Sequence, residues 1–107
     1  MSARDVYVAI ADPTRRRILD LLHQRGPLIA GEIAARFRRK SRPGISRHLR
    51  ILRECGLLDA RDEGKTRVYA LKPEPLRALH AGWLARFGEK HMVGLAALRR
   101  RVEGGQG

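Results

Sequence analysis

The segment of this chain with the clearest chemical potential is residues 36–53, which is rich in arginine. Eight of its eighteen residues are basic and none is acidic. Arginine binds phosphate and guanine edges through paired, planar N–H donors, so the composition suits nucleic acid. An apolar helical spacing nevertheless runs through the segment, at Phe37, Ile45, Leu49 and Leu52. The pattern predicts a helix that packs on a core by one side and presents arginines on the other.

This predicted helix covers residues 41–55. Ser41 is a suitable N-cap, Pro43 falls in the first turn where its missing N–H costs nothing, and Gly56 provides a left-handed stop. The B-DNA major groove is about 12 Å wide and admits one α-helix. The side chains expected to face outward, towards such a groove, are those of Arg42, Ser46, Arg47 and Arg50. Ser41, at the start of the helix, is a further candidate for a DNA contact.

The position of each outward residue along the helix predicts its role. N-terminal positions of a recognition helix usually reach bases, so Arg42, Ser46 and Arg47 are predicted to contact bases. Arg50 and Arg53 lie further along and are predicted to contact phosphates. Alternatives remain open: Ser46 is also a common small helix residue, and Arg53 is also placed to pair with an acid such as Glu54. His48 stands beside the inward stripe and is read as a packed or phosphate-bonding residue.

Three other groups of basic residues are candidates for phosphate contacts. Arg38, Arg39 and Lys40 precede the helix and are predicted to clamp the DNA backbone, the alternative being a solvated loop. Lys65 and Arg67 belong to a predicted hairpin turn, or wing, whose alternative is an ordinary hairpin with charged edges. The third group lies at the start of an earlier helix, where Arg15 and Arg16 would either meet a phosphate or pair with Asp12 or Asp20.

The order of elements predicts a mostly α fold with a small β-hairpin. Local patterns give a short helix at residues 5–11, a helix opened by Asp12-Pro13, and another near residues 29–37. After the basic helix, period-two alternation around a Gly-containing turn indicates two strands up to Leu71. The order helix-helix-helix-helix-hairpin-helix is that of a winged helix-turn-helix. We expect a single domain at 1–103, with a DNA-binding core at about 12–72 and a C-terminal dimerisation helix at about 74–102. Residues 104–107 are expected to form a flexible tail.

The last predicted helix carries more apolar surface than so small a body can bury. Its stripe comprises Leu76, Leu79, Trp83 and Phe87, continued by Leu95, Leu98 and Val102. Gly82, Gly88 and Gly94 weaken it at intervals. A homodimer interface through these residues is the economical explanation.

Length, charge and cysteine content narrow the class of protein. The chain has 107 residues and a net charge of +12. The single cysteine, Cys55, excludes an intrachain disulfide and is read as a small buried residue. With no long apolar run and no signal-peptide pattern at the N-terminus, we expect a soluble, cytoplasmic protein that has no membrane partner.

Several motifs resemble the ArsR/SmtB family of bacterial regulators. They are Ala11-Asp-Pro-Thr-Arg15, Ile33-Ala34 to Phe37, Ser41-Arg-Pro-Gly-Ile-Ser-Arg-His-Leu49, Leu52-Arg-Glu-Cys-Gly-Leu-Leu58 and Gly64-Lys-Thr-Arg-Val-Tyr69. The resemblance implies a homodimer that binds a palindromic operator and represses transcription, with an interface built from the first and last helices. It implies recognition positions at Arg42, Pro43, Ser46 and Arg47, and release of DNA by an inducer that is often a metal ion.

The metal ligands of this family are not matched here. Where metal-sensing relatives carry a Cys-x-Cys pair, this chain has Ile29 and Gly31. His80 and His91 keep the spacing of another family site, but Ala78 and Gly94 stand where its acids belong. We therefore expect no metal site of the known kinds and no cofactor, and leave the effector unknown.

Two other functions are weighed against a sequence-specific regulator. A nucleoid-type protein would bind nucleic acid through charge alone, without base readout. An enzyme is not supported, because Glu63-Gly-Lys-Thr66 lacks the earlier glycine of a phosphate-binding loop. The sequence therefore favours a DNA-binding transcriptional regulator and leaves the nonspecific binder as the alternative.

Overall fold

The computed structural model describes residues 5–87 together with residues 100 and 101. It forms two compact units, an N-terminal unit that ends at Leu76 and a C-terminal unit that begins at Arg77. The elements are α1 (Val6–Ala11), α2 (Pro13–Arg25), β1 (Leu28–Ile29), α3 (Ala30–Ala35), α4 (Arg42–Glu54), β2 (Leu58–Glu63), β3 (Thr66–Leu71), α5 (Glu74–Ala81) and a 3-10 turn (Leu84–Phe87). The order confirms the predicted mostly helical fold with a hairpin.

Helix α2 begins and ends as its local sequence predicts. The Asp12 carboxylate accepts hydrogen bonds from the backbone N–H of Thr14 at 2.8 Å and of Arg15 at 3.1 Å. Pro13 occupies the first turn. Gly26 follows the helix with φ of 80°, a conformation that favours glycine. These caps fix the direction in which α2 enters the core.

Helix α4 is capped by the same chemistry. Ser41 Oγ accepts a hydrogen bond from the backbone N–H of Gly44 at 3.1 Å. A Cβ at position 44 would lie 3.0 Å from that oxygen, so glycine leaves room for the cap. Gly56 ends the segment with φ of 78°, as predicted. The cap and the stop therefore define a helix of almost four turns.

The core joins α2, α3, α4 and the start of β2. Its completely or almost completely buried large side chains are Ile18, Leu22, Ile33, Ile45, Leu49, Leu52, Leu57 and Leu58. Ile51 of α4 is also buried, although it lies outside the predicted inward stripe. Helix α4 thus packs more of its circumference on the protein than its simplest apolar pattern indicates.

The sheet has a third strand that sequence patterns did not predict. Strand order is β1-β3-β2, and all pairs are antiparallel. The predicted helix at residues 29–37 is shorter, because Ile29 belongs to β1 and α3 ends at Ala35. Phe37 still packs against the core from beyond the helix. In the hairpin, Gly64 has φ of 63°, which suits the first position of a two-residue turn.

In the last part of the described chain, the prediction of one long helix is wrong. Helix α5 ends at Ala81, and the backbone N–H of Gly82 donates to the Ala78 carbonyl at 2.9 Å. A glycine gives little support to a continuing helix, and a Cβ at position 82 would lie 3.1 Å from that same oxygen. The predicted stripe residues Leu95, Leu98 and Val102 and the predicted tail lie outside the described residues.

The predicted dimerisation residues fall in different surroundings. Leu76 packs partly against the core of the N-terminal unit, and Leu79 is half-buried. In the C-terminal unit, the rings of Trp83 and Phe87 contact each other edge to face with centroids 4.9 Å apart. None of the helices among residues 5–87 and 100–101 has the length and apolar character to span a bilayer.

Candidate nucleic-acid interface

Helix α4 separates its apolar and basic residues onto opposite sides. Ile45, Leu49 and Leu52 have exposed fractions of 2%, 1% and 0%. On the other side, the exposed residues are Arg42, Pro43, Ser46, Arg47 and Arg50. The amphipathic helix predicted from the sequence is confirmed, and the described chain does not cover its arginines. Such a helix can enter a groove without losing its own packing.

The second half of α4 carries a weak internal ion pair. Arg50 Nε lies 3.9 Å from Glu54 Oε1, and both side chains are largely exposed. Exposed pairs of this kind contribute little to stability and are screened by salt. The contact therefore leaves Arg50 able to exchange its carboxylate partner for a phosphate.

The turn before α4 is strongly basic and lies beside α2. Arg38, Arg39 and Lys40 are exposed, as both the predicted phosphate clamp and its alternative, a solvated loop, require. They line an open concavity together with Arg17, Arg36, Phe37 and Ala35. The site residues predicted from the sequence omit Arg17 and Arg36. Arg36 precedes this turn in the basic segment, whereas Arg17 reaches the concavity because α2 packs beside the turn.

The wing residues have acidic partners. Arg67 Nε donates to Asp62 Oδ1 at 2.9 Å, across a directly paired position of β2 and β3. This hydrogen bond and the guanidinium charge of Arg67 lower the pKa of Asp62. The same hydrogen bond and the carboxylate charge of Asp62 raise the pKa of Arg67. Arg61 pairs with Glu63 at 2.9 Å. Lys65 is exposed at the turn. Apart from Lys65, the arrangement fits the alternative reading of a hairpin with charged edges.

Arg15 connects three helices inside the N-terminal unit. Its Nε donates to the Ala9 carbonyl at 2.9 Å and its Nη2 donates to the Val8 carbonyl at 3.0 Å. Its Nη1 lies 3.2 Å from His48 Nδ1. A guanidinium only donates, so Nδ1 must accept and the neutral imidazole carries its proton on Nε2. Arg15 therefore ties the end of α1 to α4, and a phosphate contact from it stays a prediction.

Arg16 also bonds within the protein. Its Nη1 donates to the Ile10 carbonyl at 2.6 Å. The alternative that Arg15 or Arg16 pairs through its side chain with Asp12 or Asp20 is not what the structure shows. The Asp12 carboxylate instead binds backbone N–H groups, and the two guanidinium groups satisfy carbonyls at the end of α1.

Burial, hydrogen bonds and nearby charges determine the ionisation of His48 and Asp12. Desolvation lowers the pKa of His48, and the charges of Arg15, Lys40 and Arg47 add to this effect against the opposing charge of Asp12. Desolvation alone would raise the pKa of Asp12, but hydrogen bonds from the backbone N–H groups of Arg15 and Thr14 and the charge of Arg15 lower it. His48 is therefore held in the neutral form that its contact with Arg15 requires.

We expect His48 to make the folded state sensitive to mild acid. Because its pKa is lower in the folded state than its ordinary value of 6.5, the unfolded chain binds more protons below that pH. Its contribution to stability is complete above that value and is lost as the pH falls through the folded pKa. In urea unfolding at about pH 5 and about pH 7.5, His48→Gln should reduce the difference in unfolding free energy.

The matched control is His23→Gln, which removes an exposed imidazole from the last turn of α2. This variant removes an imidazole that lies outside the contact with Arg15, so it shows whether the effect belongs to His48. An unchanged pH dependence in His48→Gln would contradict the assigned role of His48.

The described residues offer no group of three or more His, Cys, Asp or Glu side chains that could hold a metal ion. Ile29 lies at the start of α3 and Gly31 within it, where a Cys-x-Cys pair would have to be. His80 is exposed on α5, and His91 lies outside the described residues.

The Cys55 thiol is buried and donates to the Asp5 carbonyl at 3.3 Å, which agrees with its reading as a core residue.

Helices α2 to α4 followed by the β2–β3 hairpin form a winged helix-turn-helix. Comparison with known proteins agrees, because residues 10–61 match a family described as a helix-turn-helix domain. The chain is 43% identical over 92 residues to the HTH-type transcriptional regulator Rv2034 of Mycobacterium tuberculosis, covering 86% of this chain and 83% of that protein. It is 40% identical over 86 residues to the transcriptional repressor SdpR of Bacillus subtilis, covering 80% and 92%.

A solved structure extends the similarity to the three-dimensional fold. The crystal structure of the ArsR family transcriptional regulator RHA00566 superposes with a TM-score of 0.69 at 35% identity, covering 80% of this chain and 86% of that one. The chain belongs to the ArsR family of winged helix-turn-helix transcriptional regulators. It is a DNA-binding regulator and not an enzyme.

Proposed function

We propose that this protein is a sequence-specific transcriptional repressor that binds a palindromic operator as a homodimer. The observation that carries the proposal is the exposed basic side of α4, opposite a fully buried apolar side. A helix of this kind, preceded by a basic turn, fits the major groove and leaves its arginines free to read base edges.

Each outward residue of α4 has a role in this proposal. Arg42, Ser46 and Arg47 lie in its first half and contact bases, with arginine favouring guanine. Arg50 binds phosphate. Ser41 holds the helix start through its bond to Gly44, and its own contact with DNA is secondary. Lys65 is the wing residue best placed to meet the DNA backbone, because Arg67 is already paired with Asp62.

Exposed apolar side chains support the homodimer. On α1, Tyr7 and Val8 are 48% and 45% exposed. In the C-terminal unit, Trp83 and Phe87 are each 47% exposed. Apolar side chains exposed at such terminal elements are suited to contact a second copy. A two-fold dimer would present two α4 helices to half-sites about 34–36 Å apart.

The proposal includes repression of transcription and a cytoplasmic location. SdpR, one of the relatives, is named a transcriptional repressor. A winged helix bound over a promoter blocks transcription by occupying it, and the site of that action is the cytoplasm. The proposal names no effector, and it excludes a metal held by the family's cysteine pair, because Ile29 and Gly31 cannot ligate.

Selection of bound duplexes from a random DNA pool tests the proposal. We expect enrichment of a palindromic site whose guanine-containing half-sites are about 10 base pairs apart. Binding to that site should exceed binding to random duplex by roughly 10³-fold or more, with two protomers on each duplex. Binding without enrichment would instead support the nonspecific, nucleoid-type alternative.

A further inference from the structure

The basic residues of the N-terminal unit differ in whether an acid neutralises them. In the hairpin, Arg61 pairs with Glu63 and Arg67 with Asp62, each at 2.9 Å, while Lys72 lies 3.7 Å from Asp59. Residues 58–72 contain four basic and three acidic residues, so the wing is almost neutral. A phosphate must displace a carboxylate before it binds such an arginine, and this reduces the free energy gained on DNA binding.

A second group of cations lacks such neutralisation. Its members, here called the basic cluster, are Arg17, Arg36, Arg38, Arg39 and Lys40. No acidic residue lines their shared concavity, and in the described ranges 5–87 and 100–101 no ion pair joins any of them to an acid. Asp20 lines only the adjacent concavity, which Arg17 and Arg36 also border.

The location of the basic cluster relates it to the DNA-reading helix. Lys40 directly precedes Ser41, the N-cap of α4, and Arg36 follows the end of α3. A helix that lies in the major groove has a phosphate backbone along each edge of that groove. The cluster therefore flanks the N-terminal end of α4 on the α2 side, where one DNA strand would pass.

We infer that the basic cluster, and not the wing, is the main phosphate anchor of the bound duplex, with Arg17 and Arg36 as members. This inference rests on the proposed placement of α4 in the major groove. It assigns a phosphate-binding role to α2 and to the end of α3. These contacts increase affinity through counterion release, because each phosphate contact frees condensed cations from the DNA. Each contact also adds about 0.9 to the magnitude of the slope when the logarithm of the binding constant is plotted against the logarithm of the salt concentration.

The double variant Arg17→Ala/Arg36→Ala tests the inference without altering α4. Dissociation constants would be measured on duplex DNA from about 50 to 200 mM salt. For each bound protomer, we expect the magnitude of the log–log slope to fall by about 1.8, and affinity near 0.1 M salt to fall between about tenfold and 100-fold. The matched variant Arg61→Ala/Arg67→Ala removes the same charge from the wing and should change the slope by less than about 1 for each bound protomer.

Conservative variants show whether weaker DNA binding results from lost charge or from disturbed folding. Arg17→Lys/Arg36→Lys keeps both cations and should retain most of the slope, since phosphate contact by a point charge suffices. Circular dichroism melting shows that each variant is folded. An unchanged slope in the alanine variant, a larger change in the wing variant, or equal losses in the lysine and alanine variants would overturn the inference.

The same measurement distinguishes this inference from the proposed function. Phosphate contacts are independent of sequence, so the slope must fall on a random duplex as well as on the selected operator. A wild-type protein without operator preference would refute the sequence-specific function, while the slopes on random duplex would still decide whether the basic cluster anchors DNA.

Discussion

Replacing Arg42 and Arg47 together by alanine is expected to weaken operator binding by about 2–6 kcal/mol for each half-site and to relax base preference at two positions. Both side chains are exposed on the first half of α4. A two-pronged arginine contact to guanine contributes discrimination of about 1–3 kcal/mol, which no neighbouring side chain replaces. Titration of operator variants with single base changes would measure the loss at each position.

The control for this variant is Arg25→Ala/Arg61→Ala, which makes the same change in net charge at exposed positions outside α4. It should lower affinity slightly and leave base preference intact, because long-range charge is screened and carries no sequence information. Equal loss of affinity and preference in the two variants would mean that α4 does not read bases.

Leu52→Ala is expected to lower the free energy of unfolding by about 2–5 kcal/mol. The Leu52 side chain is fully buried, with an exposed fraction of 0%, where α4 packs on the core. Truncation removes apolar contacts and leaves a cavity, because a close-packed core relaxes only in part. Urea unfolding of the purified variant measures this loss.

The neighbouring variant Arg53→Ala is the control, since Arg53 is exposed on the same helix. It should change stability by no more than about 0.5 kcal/mol. A Leu52→Ala protein that is as stable as wild type would mean that α4 does not depend on the core for its position. The packing of the DNA-reading helix would then need another explanation.

Helix boundaries were predictable wherever local chemistry decides them. The Asp12 and Ser41 caps each satisfy free N–H groups with their own side chain, which a reader of the sequence can recognise. Gly26 and Gly56 adopt positive φ, as their positions after helices indicate. The inward and outward sides of α4 followed from the period of its apolar residues in the same way.

Features that depend on tertiary packing were not predictable in this way. Strand β1 has two residues, too few for an alternating pattern, and it exists because β3 offers a free edge to Leu28 and Ile29. The end of α5 at Ala81 was also missed, because an apolar stripe continued past Gly82 and concealed the break. Whether a short strand forms, or a helix ends at a glycine, depends on the residues that pack against it.

The candidate site also contains some features that local sequence predicts and others that depend on tertiary packing. The exposure of Arg42, Ser46 and Arg47 followed from helical periodicity, whereas the engagement of Arg15 depends on carbonyls of α1 and on a histidine 33 positions away. The neutral wing likewise reflects strand register, which places Asp62 opposite Arg67. From composition alone, an arginine such as Arg67 would be assigned to DNA binding. The structure shows instead that it is paired with Asp62.

Methylation interference on the selected operator tests the central claim most directly. Methylation at guanine N7 alters the major groove, where α4 is proposed to lie. The proposal predicts that methylated guanines within each half-site block binding of the wild-type protein, and that Arg47→Ala no longer responds to one of them. Wild-type binding that tolerates every N7 methyl group, yet is abolished by a ligand that fills the minor groove, would contradict it.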